Sequence, residues 1–484
     1  MAIVDAPRPS DSRSPRTEPA IPCRMGKRGP FRRRGDRAAV LALALACMPL
    51  AAQDPPGSSP AGLSEIRILG QPGDARALSE EAVRGPLFES LGPEESGLDF
   101  VIPIDTSHPD KRLYYSSMAC GSVAAGDLDG NGWPDLVFAA GPVPNRLYRN
   151  RGEAAAEGGP RFEDVTEAAG IADPEGWATG VVLADVTGNG KLDIYVCRYD
   201  APNRLYLNES EPGEFRFREA AAEFGLDLVD ASLMAQFVDY DGDGLLDLFL
   251  VTNALYHPGG RPPEGVPMRR TATGFEVVEP MDRYFRFSSF DPVSGEPVYT
   301  EAGRPNRLLR NEGGRFRDVS AEAGILPVGS HSNGAIWFDR DGNGLLDLYV
   351  PNDFADRDEF YLNLGDGTFA EIAADVFQHT AWFAMGGAAE DFNGNGRTDL
   401  VVADMLPTTH YRQKVTMGEM GASFAEMYEA GLPRQNMVNT FFVNTGTGFF
   451  FEAARIAKIA QSDWTWTVKS ADLDGDGRVD LYFT

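Results

Sequence analysis

Short apolar runs recur along this chain: LVFAA from Leu136, IYVC from Ile194, LFLV from Leu248, LYV from Leu348, LVVA from Leu400 and LYF from Leu481. Each is rich in β-branched or aromatic side chains, too short for a helical period and suited to a buried strand. Between them stand NRLYRN from Asn145 then RFEDVTEAAGI from Arg161, NRLYLN from Asn203 then FRFREAAAEFGL from Phe215, and NRLLRN from Asn306 then RFRDVSAEAGI from Arg315. EFYLN from Glu359 and GTFAEIA from Gly367 form a fourth such pair. Each unit thus supplies four strands: one before a polar nonapeptide, one after it, then the NRLY strand and the strand with an F-x-D/E-V pattern. Four-stranded units at a period of about 40 to 60 residues, each unable to bury both faces alone, predict an all-β β-propeller of four-stranded blades. Six units are visible, the last incomplete.

The nonapeptides are DLDGNGWPD from Asp127, DVTGNGKLD from Asp185, DYDGDGLLD from Asp239, DRDGNGLLD from Asp339, DFNGNGRTD from Asp391 and DLDGDGRVD from Asp472. Positions 1, 3, 5 and 9 carry side-chain oxygens: Asp127, Asp129, Asn131 and Asp135; Asp185, Thr187, Asn189 and Asp193; Asp239, Asp241, Asp243 and Asp247. The later copies supply Asp339, Asp341, Asn343 and Asp347; Asp391, Asn393, Asn395 and Asp399; Asp472, Asp474, Asp476 and Asp480. Such sets suit a hard cation that takes six to eight oxygens at about 2.3 to 2.6 Å, with a backbone carbonyl at position 7 as a further ligand. Position 7 is Trp133, Lys191, Leu245, Leu345, Arg397 and Arg478 in turn. Glycines at positions 4 and 6 permit the sharp turn. An EF-hand would need an acidic ligand at position 12, where this chain has Phe138, Val196, Leu250, Val350, Val402 and Phe483. The copies are not tandem either, which excludes a calcium-bound β-helix. Up to six Ca²⁺ ions are expected, bound more tightly where carboxylates are more numerous.

Net charge is −28, and the six loops hold eighteen of the Asp side chains. Six divalent ions would leave about −16, so much of the acidity reads as cation ligation. A surface of this sign disfavours nucleic acid as a partner.

Residues 1–52 carry a basic run, KRGPFRRRGDR from Lys27, followed by AAVLALALACMPLAA, the layout of a secretory signal, with Met25 an alternative start. Export is predicted, and a membrane attachment only if Cys47 is lipidated; Arg33-Arg34 gives a weaker twin-arginine match. Residues 53–96, rich in Pro, Gly and Glu, read as a linker. An exported chain could join Cys120 to Cys197, although they fall in different units.

Taken together, the acidic loops, the NRLY strands, HSNGAIWFDRDGNGLLDLYVPNDF, ADMLPTTHYRQK and SDWTWTVKSADLDGDGRVDLYFT resemble FG-GAP (VCBS) repeats, the blades of the integrin α headpiece. Within that group the chain resembles the cartilage acidic protein and ASPIC/UnbV-like relatives, over residues 97–484. The resemblance implies calcium loops, seven blades in a full-length relative, and a C-terminal segment beyond Thr484. On that basis Leu98 to Ile104, LDFVIPI, is expected to be the ring-closing strand.

Strands alternate in direction, so the acidic loops lie on one face and the connections from second to third strand on the other. Two long insertions, about 254–304 and 405–438, occupy such connections. The starts of the innermost strands open on the same face and carry Trp177, His331, Trp382, Phe383, Trp464 and Trp466, the candidate ligand contacts. The bland reading is that these rings only pack the inner strands. The five histidines form no HExxH pair, and G-x-S-x-G or Walker loops are absent from the sequence. The expected function is a non-enzymatic binding or adhesion module for an extracellular protein or glycan. A calcium-assisted enzyme cleaving acidic polysaccharide, or a structural spacer, are the alternatives. A cluster of His, Lys, Arg or Tyr around an acidic residue on the insertion face would separate them, with Arg269, Arg270, His410, Tyr411 and Arg412 the candidates.

Overall fold

A computed structural model describes residues 90–116, 121–152, 161–272, 274–291, 294–353, 356–416 and 434–484. All belong to the unit Ala42–Thr484. The signal segment, Cys47, Arg33-Arg34, Cys120 and most of the linker lie outside the described residues.

The first sheet comprises β1 (Ser122–Gly126), β2 (Asp135–Ala139), β3 (Arg146–Asn150) and β4 (Phe162–Asp164), antiparallel in that order. The second follows the same plan with β5 (Trp177–Ala184), β6 (Asp193–Tyr199), β7 (Arg204–Asn208) and β8 (Phe217–Glu219). After β9 (Ser232–Val238) and β10 (Asp247–Thr252) the first insertion folds as two hairpins. These pair β11 (Met268–Arg270) with β12 (Phe275–Val277), and β13 (Phe285–Phe290) with β14 (Pro297–Glu301). The third sheet then resumes with β15 (Arg307–Asn311) and β16 (Phe316–Asp318). The fourth is β17 (Ile336–Phe338), β18 (Asp347–Val350), β19 (Glu359–Asn363) and β20 (Phe369–Glu371). Next come β21 (Thr380–Ala381), β22 (Gly387–Glu390) and β23 (Asp399–Val402), then helix α1 (His410–Thr416) in the second insertion. Strand β24 (Gln435–Asn436) pairs in parallel with β21, and β25 (Thr440–Asn444) and β26 (Phe450–Glu452) complete the fifth sheet. The sixth contains β27 (Val468–Ala471) and β28 (Asp480–Phe483).

Second strands are buried along their whole length in β10, β18 and β23, and their side chains alternate between two neighbours. Leu248 and Leu250 pack with Tyr195 and Leu205 of the second sheet, whereas Phe249 and Val251 pack with Leu348 and Val350 of the fourth. Tyr349 and Phe360 in turn meet Leu400 and Phe442 of the fifth sheet, and Val401 and Phe441 meet Val468 and Leu481 of the sixth. A strand sandwiched between sheets has no polar face. This is why the runs are apolar throughout rather than alternating.

The closing-strand expectation is corrected. Leu98 to Ile104 forms no strand, and the sixth sheet is two-stranded among the described residues. The Phe100 ring instead lies 6.0 Å from that of Phe138, with the Arg146 guanidinium 5.5 Å from its centroid. Tyr148 donates to Asp99 Oδ1 at 3.2 Å. The segment is held by side chains against the first sheet, and Pro103 could not donate to a ladder. Cys197 is buried and unbridged, its thiol pushed up by burial.

Candidate functional site

In all six acidic loops the Asp at position 1 accepts at least two backbone bonds. Its Oδ1 takes the N–H of position 5 at 2.9 to 3.2 Å. Its Oδ2 takes the N–H of position 6 at 2.7 to 3.0 Å. Position 5 caps position 7 in the same way, at 2.7 to 3.0 Å. The glycines have positive φ, as at Gly242 (75°) and Gly244 (87°), where an added Cβ would meet nothing within 4 Å. Conformation, not space, demands glycine there.

Position 9 ties each loop to its sheet. Oδ1 of Asp135, Asp193, Asp247, Asp347 and Asp399 accepts at 2.8 Å from the N–H of Asn150, Asn208, Asn311, Asn363 and Asn444 respectively, each closing a third strand. Burial pushes these carboxyls up: Asp135 and Asp347 to about 6, Asp247 and Asp399 to about 7. Asp193 and Asp480 shift the same way for the same first cause. Neighbouring loop carboxylates add to the effect.

These donors fit a divalent cation. Three loops bring carboxylate oxygens within 4.8 Å of one another: Asp127, Asp129 and Asp135; Asp239, Asp241 and Asp247; Asp472, Asp474 and Asp480. In the fifth loop Asp399 Oδ2 is buried without a hydrogen-bond partner. Asp339, Asp341 and Asp347 are not among the converging sets, although that loop matches the first in carboxylate count. The first loop has a cation of its own, since Arg149 lies 2.8 Å from the fully buried Asp129 Oδ2. Carboxylate number alone therefore does not describe these loops.

The opposite face holds a cavity of about 920 Å³. Its wall comes from the ends of second strands, the starts of first strands and the first insertion. Four of the six aromatic or histidine candidates line it: His331, Phe383, Trp464 and Trp466. Trp464 and Trp466 are 44% and 50% exposed, while Thr465 between them is buried and bonded to Ser462. Trp177 and Trp382 are not in the wall. Trp177 is buried, edge-on to Tyr114 at 5.0 Å, and Trp382 is buried in a cluster with Phe383 and Met385. For these two rings the packing reading holds.

Charged groups complete the wall, and sequence reasoning missed them. Asp356 Oδ2 lies 2.7 Å from His331 Nδ1 and accepts from the His331 N–H at 3.0 Å; its Oδ1 meets Arg286 at 2.5 Å. Burial alone would raise the Asp356 carboxyl, but the His331 bond and the Arg286 charge hold it below the ordinary value. Arg261 donates to Glu301 Oε2 at 2.9 Å and lies 5.7 Å from the Tyr299 centroid. Burial of Glu301 is likewise outweighed by Arg261, leaving its carboxyl low. Asp353 also lines the wall. The only signal that could have found Asp353 and Asp356 was their place just after a second strand. The arginines lie in an insertion without a repeat to calibrate them.

None of the five residues put forward for such a cluster lines the cavity. Arg269 pairs with Glu276 across its own hairpin, Tyr411 is exposed on α1, and Arg412 pairs with Asp463 beside Trp464. Basic and acidic groups do cluster on the insertion face, but through His331, Arg286 and Asp356.

A family model for FG-GAP-like repeats matches residues 127–196, 188–250, 339–402 and 430–483. Cartilage acidic protein 1 of Homo sapiens is 36% identical over 208 residues, 43% of this chain and 24% of that protein. Its Xenopus tropicalis counterpart is 28% identical over 162 residues, 33% of this chain and 24% of that one. The chain thus spans about a quarter of these relatives. Among solved structures, a lectin of Agrocybe aegerita that recognises non-reducing terminal N-acetylglucosamine aligns at 15% identity. Its TM-score is 0.30 over 69% of this chain and 79% of that one, too low to carry an argument.

Proposed function

The chain belongs to the FG-GAP-like repeat family, and from that premise we propose an exported β-propeller, stabilised by calcium, that binds an extracellular ligand in the cavity opposite its acidic loops. One observation carries the reading. Side chains from several repeat units and from the first insertion converge on about 920 Å³, with two tryptophan rings left open to solvent. Cavities of this kind, apolar rings with a few fixed polar groups, are the usual form of a small-ligand site. In the loops the side-chain oxygens at positions 1, 3, 5 and 9 and the position-7 carbonyl would hold Ca²⁺, whose role is to offset the mutual repulsion of the carboxylates and fix the hairpins.

His331, Asp356 and Arg286 give a specific reason to consider the acidic-polysaccharide-cleaving alternative. Against it, Arg286 and Arg261 are both matched by wall carboxylates, so neither is available to neutralise a uronate. Binding without turnover is the better-supported reading.

A protein and glycan array with and without EDTA tests it. Binding should be lost in Trp464→Ala and Trp466→Ala and weakened by chelation. Retained binding in both variants would exclude the cavity as the site.

A further inference from the structure

Resting on that cavity reading, we infer that the ligand is an uncharged saccharide, stacked on Trp464 and Trp466 and hydrogen-bonded to the paired wall charges. Charges in the wall are paired with one another. It carries two arginines and three carboxylates, Glu301, Asp353 and Asp356. Each arginine already sits on a carboxylate: Arg286 on Asp356, and Arg261 on Glu301. A uronate, sulfate or phosphate would have to compete with Asp356 for Arg286 and with Glu301 for Arg261, at short range and partly out of water, where like charges repel most strongly. A cationic ligand would likewise have to compete with Arg286 for Asp356 and with Arg261 for Glu301.

Hydroxyl groups suit such a wall. Arg–carboxylate pairs are planar, fixed sets of donors and acceptors, and each retains sites that a sugar hydroxyl can use as both donor and acceptor. Arg286 is held further by the Gly329 carbonyl at 2.8 Å, and Asp356 by the His331 backbone, so little ordering remains to be done on binding.

The tryptophans supply the apolar half. With Thr465 turned inward, the rings at 464 and 466 project from the same side of the segment. Arg412 pairs with Asp463 and anchors the chain just before them. Two open ring faces beside polar groups match a pyranose, whose axial C–H face is apolar and whose rim is hydroxylated.

Calorimetry of the full chain in calcium distinguishes the outcomes. The probes are neutral oligosaccharides (glucose, mannose, galactose and N-acetylglucosamine series), a uronate oligosaccharide, a sulfated oligosaccharide and a lysine-rich peptide. Binding should occur with a neutral series, persist in 0.5 M NaCl, and weaken about tenfold or more in Trp464→Ala and in Trp466→Ala. Melting curves identify any variant that fails to fold, and quenching of tryptophan fluorescence in the unmodified chain gives a second readout. Binding only to uronate, sulfated or cationic probes, or to no neutral sugar at millimolar concentration, overturns the inference. If an array returns a protein ligand that still depends on Trp464 and Trp466, the cavity reading stands and the saccharide fails. Sugar binding indifferent to both variants removes the cavity reading itself.

Discussion

Asn363 Nδ2 donates to the Tyr240 carbonyl at 2.8 Å, so a third strand of the fourth sheet holds the acidic loop of the third. Asn208 does the same to Leu128 at 2.9 Å, and Asn444 to Arg340 at 2.7 Å. Each of these asparagines also donates its backbone N–H to the position-9 Asp of its own loop. At these three junctions two successive loops are fastened through a single side chain.

Asn363→Ala should destabilise the chain by about 1 to 3 kcal/mol, since it leaves a buried carbonyl without its donor. The variant should also melt less cooperatively across a calcium titration. Asn150→Ala, at a position where the side chain bonds Pro134 of its own loop, should cost less. Equal melting temperatures for the two would show that the inter-sheet bond adds nothing.

Calcium itself should stabilise by mass action, about 2.7 kcal/mol per site at one hundred times the dissociation constant. EDTA should lower the melting temperature and millimolar Ca²⁺ restore it. Asp241→Ala, in a converging set, should reduce that response more than Thr187→Ala. Arg149→Ala should do the opposite, increasing it, because Asp129 loses its internal counter-ion. Differential scanning calorimetry at fixed calcium reads all three.

Trp382→Ala and Trp464→Ala should part company. Trp382 is buried among Phe383, Met385 and Met405, and its removal should cost about 3 to 5 kcal/mol of stability. Trp464 is 44% exposed, so its variant should melt within about 0.5 kcal/mol of the unmodified chain. Urea unfolding measures both; strong destabilisation by Trp464→Ala would make that ring part of the core.

Stability should also depend on Asp358. Burial pushes its carboxyl up to about 8, against the N–H of Asn352 and the Tyr349 hydroxyl. From its ordinary value of 3.8 up to about 8, the folded state holds a proton that the unfolded chain has released. Stability from this group is complete at low pH and declines as pH rises through that window. Asp358→Asn cannot ionise. The variant should therefore gain on the unmodified chain between about pH 5 and pH 8, by thermal melts in chelator, and a constant difference would mean that Asp358 is charged when folded.

How far the sequence could be read depends on repetition. Six copies of one nonapeptide made the hairpins, the loop donors and the strand order visible, because local turn geometry and buried apolar runs are encoded within a few residues. The four-strand order was read correctly for five sheets, and both insertions fall between second and third strands. Leu98 to Ile104 was misjudged because an apolar run specifies burial, not a partner; Phe100 found Phe138, and no ladder formed.

The cavity belonged to the tertiary structure. His331, Phe383, Trp464 and Trp466 could be placed on one face from strand direction alone, but strand direction does not say which rings turn outward. Trp382 and Phe383 are neighbours in sequence, and both backbone N–H groups bind Asp404 Oδ2, yet only Phe383 reaches the wall. Arg286, Arg261, Asp353 and Asp356 come together from an insertion and a loop far apart in the chain, with no repeat to reveal the pairing. Loop donors lie within nine residues and were determined by the sequence itself. The cavity's ion pairs were decided only when the sheets packed, since a long-range ion pair depends on where two backbones end up, and local sequence carries no record of that.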